Sequence, residues 1–81
     1  MPKSVFTETY RRFVKMLVEA RTDAGVTQVE LAELLGWQQT DISKVERAER
    51  RLDIAEFLQF AEALKIDAPE FVKRLQSKRR T

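Results

Sequence analysis

The twenty residues from Gln28 to Arg47, QVELAELLGWQQTDISKVER, constrain this chain more than any other stretch. Two apolar stripes lie in them at helical spacing: Val29, Leu31, Ala32 and Leu35, then Trp37, Ile42 and Val45. Gly36 stands between the stripes, where a helix often ends in a left-handed residue that glycine adopts without steric cost. Ahead of the first stripe, Thr27 and Glu30 make a capping box, with apolar Val26 just before it. The pattern predicts a helix over 28–35, a tight break, and a second helix over 39–47 on a new axis. Ala32 is small where the second helix must cross the first. A pair this short cannot bury both stripes alone, so other helices must close over it.

The rest of the chain supplies them. Phe6, Tyr10, Phe13, Leu17, Ala20 and Ala24 recur at helical spacing and predict a core-facing helix over 5–24, stopped by Gly25. Asp53 and Glu56 form a second capping box and open a helix over 53–65. Its broad apolar face is Ile54, Phe57, Leu58, Phe60, Ala61 and Leu64. Asp67, Pro69 and Glu70 signal a last helix over 68–76, carrying Phe71, Val72 and Leu75. A basic tail follows over 77–81, read as frayed. Strand alternation, internal repeats and linkers are absent from the pattern. With 81 residues, the chain is read as one all-α domain, a compact bundle of five helices.

The sequence contains neither cysteine nor histidine. Disulfides, thiolate or zinc sites and the usual general base are therefore excluded, and neither enzyme activity, a cofactor nor a metal is expected. No apolar run reaches membrane-spanning length, and the first ten residues lack the apolar core of a signal peptide, so a cytoplasmic protein is expected. Net charge is only +2. Basic residues gather near the ends: Lys3, Arg11, Arg12 and Lys15, then Lys73, Arg74, Lys78, Arg79 and Arg80. The central helix pair is net acidic, so affinity for phosphate must come from selected positions.

The central stretch resembles the helix-turn-helix of the phage repressor and Cro-like (XRE-type) family of DNA-binding domains. Thr27-Gln28, Leu31-Ala32, Leu35-Gly36, Ile42, Val45 and Glu46 carry the resemblance, which covers roughly 18–66. It implies a lambda-repressor-like fold whose helix over 39–47 enters the major groove of double-stranded DNA. It also implies that Arg21 and Glu46 pair across the first and third helices, as a structural contact. Two departures stand out. Gln38 replaces the Ser or Thr usual at the third helix start, so Asp41 is expected to compensate there, with cytosine N4 as its other possible partner. The glycine usual near Ala48 is missing, which leaves the exit of the third helix open between an end near Arg47 and one further turn.

With Ile42 and Val45 facing the core, helical geometry turns Gln39, Thr40, Ser43 and Lys44 outward, and these are the base-contacting candidates. Gln can bond adenine N6 and N7, Lys guanine O6 or N7, and Thr offers a hydroxyl or a methyl. In the resembled family, the positions matching Gln39, Thr40 and Lys44 face bases, and the one matching Gln28 meets the backbone. Phosphate-contacting candidates are Thr27, Gln28, Gln38, Arg47, Arg50 and Arg51. A solvated helix face is the bland reading of these residues, and solubility that of the arginines. Trp37 is read as core, with stacking on DNA as the alternative.

One domain reads few base pairs. A homodimer would read two half-sites about 34 Å apart on a near-palindromic operator. Its surface must come from the late helices, so Phe71, Val72 and Leu75 are the interface candidates; Phe71 serves equally well as core. The function read from the sequence is a homodimeric transcriptional regulator, a repressor or controller protein. The alternative is an antitoxin-type or other protein-interaction module on the same fold, with a toxin or other protein as partner.

Overall fold

The computed structural model describes residues 7–78. Five helices succeed one another there: α1 (Glu8–Asp23), α2 (Gln28–Leu35), α3 (Gln39–Glu46), α4 (Ile54–Leu64) and α5 (Ala68–Lys78), with no strand among the described residues. α1 begins at Glu8, and the expected start at residue 5 lies outside the described residues. Thr7 is extended, and its hydroxyl accepts from the Tyr10 amide at 3.1 Å, which fixes the first turn. The expected stripe residue Phe6 lies outside the described residues, as do Lys3 and, beyond α5, Arg79 and Arg80.

α1 packs against both α3 and α5. Its buried arc is therefore wider than one stripe: Val14 and Met16 join Tyr10 and Leu17 in the core, while Ala24, expected inside, is exposed just past the helix end. α2 buries Leu31 and Ala32 but leaves Val29 53% exposed. In α4 the buried face is Phe57, Phe60, Ala61 and Leu64; Ile54 (69%) and Leu58 (51%) stand out in solvent, so the apolar face is broader than the face that packs. Leu31, Ile42 and Val45 are wholly inaccessible and sit with Phe60 at the centre. Burying each such side chain stabilises the fold by about 1.5–3 kcal/mol.

Aromatic edges join the remaining elements. Phe13 of α1 meets Phe57 of α4 and Phe71 of α5, with ring centroids 5.4 and 5.9 Å apart, and Phe57 and Phe71 lie 5.2 Å from each other. Phe71 is only 3% exposed. It is a core residue of the monomer, because three aromatic rings from three helices close around one point. The Tyr10 hydroxyl accepts from the Leu52 amide at 3.1 Å and so ties the connection between α3 and α4 to α1.

Candidate nucleic-acid interface

The α2–α3 unit is set by its caps. The Thr27 hydroxyl accepts from the Glu30 amide at 3.0 Å, and the Glu30 carboxylate accepts from the Thr27 amide at 2.9 Å. At the other end Gly36 is left-handed (φ 73°), and the Trp37 amide reaches back to the Ala32 carbonyl at 2.9 Å. Trp37 then packs edge-on against Phe60, centroids 5.4 Å apart, which seats the turn on α4. At the α3 start, the Asp41 carboxylate accepts from the Gln38 amide at 3.2 Å. Asp41 thus completes the helix start, and the Gln38 side chain stays exposed.

α3 does not run on. Arg47 ends it, and Ala48 turns left-handed at φ 61° in the place where a glycine would sit without strain. The Ala48 and Glu49 amides close the end onto the Val45 and Lys44 carbonyls at 3.0 and 2.8 Å. The hydrogen bonds of the terminal turn hold alanine in that conformation.

With Ile42 and Val45 inaccessible, Gln39, Thr40 and Lys44 form an exposed polar edge. Ser43 is half-buried, and its hydroxyl is bound by Arg47 Nη1. Gln39 is not free either. Its Nε2 donates to Gln28 Oε1 at 2.6 Å, and Gln28 Nε2 donates in turn to Glu46 Oε1 at 2.8 Å. The Glu46 carboxylate receives Arg21 Nε at 2.6 Å and Nη2 at 3.0 Å. Arg21 Nη1 also binds the Val26 carbonyl at 2.8 Å. Four side chains from three helices thus form one hydrogen-bonded chain. Sequence reasoning treated Gln28, Gln39 and the Arg21–Glu46 pair separately. The signal for joining them is that both glutamines open a helix of the same tight hairpin.

The other phosphate candidates differ in freedom. Thr27 is exposed but its hydroxyl serves the cap, and Gln28 is half-buried. Arg47 makes two bonds to the Glu49 carboxylate, both 3.1 Å. That hydrogen bond, with the attraction between the charges, raises the Arg47 pKa and lowers that of Glu49. Arg50 lies 4.6 Å from the Trp37 ring centroid and pairs with Glu56 at 3.0 Å. Arg51 is exposed, with its guanidinium 4.8 Å from the Tyr10 ring centroid.

A sequence model described as helix-turn-helix matches residues 17–71, well over half the chain. The chain belongs to the XRE-type helix-turn-helix family. One solved structure similar to this XRE-type chain is an XRE-family like protein from Pseudomonas syringae pv. tomato str. DC3000. It is 41% identical, with 86% of this chain and 85% of that one covered and a TM-score of 0.83. The wild-type restriction-modification controller protein C.Esp1396I shares the fold at 24% identity. There 89% of this chain and 95% of that one are covered, with a TM-score of 0.80. No curated protein sequence matches significantly. Among the described residues of this XRE-type protein, no helix is long and apolar enough to cross a membrane. Family membership supports a DNA-binding regulator of transcription.

The remaining interface candidates of the XRE-type chain lie away from α3. Val72 is 40% exposed and Leu75 half-buried. Both line an open groove of about 320 Å³ between α1, α4 and α5, together with Ile54, Leu52 and Phe57. Leu58 lies one helical turn beyond Ile54, on the same face of α4.

Proposed function

We propose that this chain binds double-stranded DNA sequence-specifically and regulates transcription as a homodimer on a near-palindromic operator. One observation carries the reading: α3 hides Ile42 and Val45 completely and leaves Gln39, Thr40 and Lys44 exposed along one edge. That edge stands at the start of the second helix of a helix-turn-helix, the end that meets base pairs. Gln39 and Thr40 supply hydrogen bonds to base edges, and Lys44 donates to guanine. In this reading Thr27, Gln28, Gln38, Arg47 and Arg51 serve as backbone contacts, which fix register. Ile54, Leu58, Val72 and Leu75 supply the surface for the second copy.

Selection of bound duplexes from a random pool tests the reading. Enrichment of a two-fold symmetric motif, with half-sites about one helical turn apart, is the expected result. A protein that binds every duplex alike, or none, is not this regulator.

A further inference from the structure

The geometry points to Glu46 as a positioning residue for base recognition: its carboxylate sets the direction of the hydrogen-bonded chain through Gln28 and so decides which face of the Gln39 amide meets a base. The inference rests on the reading of α3 as the helix that enters the groove.

The argument is one of polarity. An ionised carboxylate can only accept. Glu46 takes two bonds from Arg21, so its remaining capacity is also for donors. Gln28 must therefore turn its NH₂ group toward Glu46, at 2.8 Å, which leaves Gln28 Oε1 facing Gln39. Gln39 in turn must offer NH₂, at 2.6 Å. Neither amide is free to flip, because each reversal sets donor against donor or oxygen against oxygen. Gln39 is left with one N–H and its whole oxygen for DNA. That pair complements adenine, which shows an acceptor at N7 and a donor at N6 in the major groove.

The opposite polarity has a different outcome. If position 46 carried an amide, its oxygen would keep the shorter contact, with Arg21 Nε at 2.6 Å, and its NH₂ would take the place of Oε1, facing Gln28 and giving up the 3.0 Å bond from Arg21 Nη2. Gln28 would then present NH₂ to Gln39, and Gln39 would accept through its oxygen. Both N–H groups of Gln39 would be left for the base. Guanine, with acceptors at N7 and O6, suits that arrangement better than adenine.

The experiment uses the full chain and the duplex selected from a random pool. Gln39→Ala first identifies the base pair that Gln39 reads, as the position whose preference relaxes. Affinity is then measured for the four duplexes differing at that pair. Glu46→Gln is expected to lower the adenine-over-guanine preference there on the order of tenfold, within the range of one bidentate contact, with preferences elsewhere unchanged. Arg21→Met removes the same ion pair but keeps the carboxylate, and is expected to leave the preference in place. A uniform loss across the four duplexes, or an equal shift in Arg21→Met, overturns the inference. If Glu46→Gln does not fold, Gln28→Met decides. It cuts the chain and spares the ion pair, and selective loss at the same base pair supports the proposal while retained preference overturns it. A wild-type chain that selects no motif overturns the underlying reading, and this proposal with it.

Discussion

The guanidinium of Arg50 rests 4.6 Å from the centre of the Trp37 ring. From there it also reaches Glu56 at 3.0 Å, so one side chain links the α2–α3 turn to the start of α4. The sequence reading placed Arg50 among the phosphate contacts. In the folded chain it is first of all a structural cation. Cation–π contact at a partly exposed site contributes about 0.5–1 kcal/mol, and a partly exposed ion pair adds at most a similar amount. Arg50→Ala should therefore destabilise the protein by about 1 kcal/mol, read as a lower urea midpoint with an unchanged slope.

The same pair predicts a pH dependence. The hydrogen bond from Arg50, then that from the Asp53 amide, lowers the Glu56 pKa below its ordinary value. The unfolded chain thus takes up this proton first as pH falls. The contribution is fully present above the ordinary glutamate pKa, about 4.3, and drains away as pH drops through it toward the lower folded value. Glu56→Gln keeps a side chain that suits the capping box but removes the titration. Its melting temperature should lie below wild type at pH 7, with the gap closing toward pH 3. A constant gap would remove the ion pair as the cause.

Phe71 and Val72 are adjacent in sequence and opposite in consequence. Phe71→Ala empties a site walled by Phe13 and Phe57 and should cost about 3–5 kcal/mol of stability. Val72→Asp changes a residue that is 40% exposed and should leave the monomer fold intact. If the α4–α5 flank joins two copies, sedimentation should show Val72→Asp as a folded monomer where the wild type is a dimer. A wild-type monomer both free and on a full operator would discard the dimer.

Local signals were the legible ones. Thr27 with Glu30, Gly36, and Asp53 with Glu56 act within one helical turn, and each does in the structure what its sequence pattern announces. Burial was legible on α3, where Ile42 and Val45 are buried as their spacing predicts. α1 has neighbours on two sides, so one stripe missed Val14 and Met16 and mistook Ala24. Ile54, Leu58 and Val29 read as core because apolar spacing marks a face, and no nearby residue reveals whether anything covers it. The chain through Gln39, Gln28, Glu46 and Arg21 was hidden for a similar reason. Its members come from three helices, and only tertiary geometry gives their hydrogen bonds a direction.

Two helix ends hold strained residues. Ala48 and Lys65 both sit at φ near 60°, at 61° and 60°. A left-handed conformation costs an L-residue roughly 1–2 kcal/mol, and glycine avoids it while losing about 0.5–1 in backbone entropy. Ala48→Gly and Lys65→Gly should each stabilise the protein by about 0.5–1 kcal/mol. They are far apart in sequence and should add in the double variant. Urea unfolding checks both; a destabilised Ala48→Gly would mean that the α3 exit is not strained.

Arg47 gives the sharpest test of how the charged rim meets DNA. It stands at the end of α3, bound twice to Glu49, with both side chains 55% exposed. A pair this open does little for stability. It matters for binding, because Arg47 must leave Glu49 to reach a phosphate, and the abandoned carboxylate would then face that phosphate. Glu49→Gln should free the arginine and tighten binding to all duplexes alike. The slope of log affinity against log salt should steepen by up to about 0.9, the share of one phosphate. Arg47→Gln should weaken binding and flatten the slope by a similar amount. Combining the two separates pairing from plain charge. If Glu49 acts by holding Arg47, its removal should bring little further gain once Arg47 is gone. An undiminished gain in the Arg47→Gln background would show that Glu49 acts only as a negative charge near the duplex.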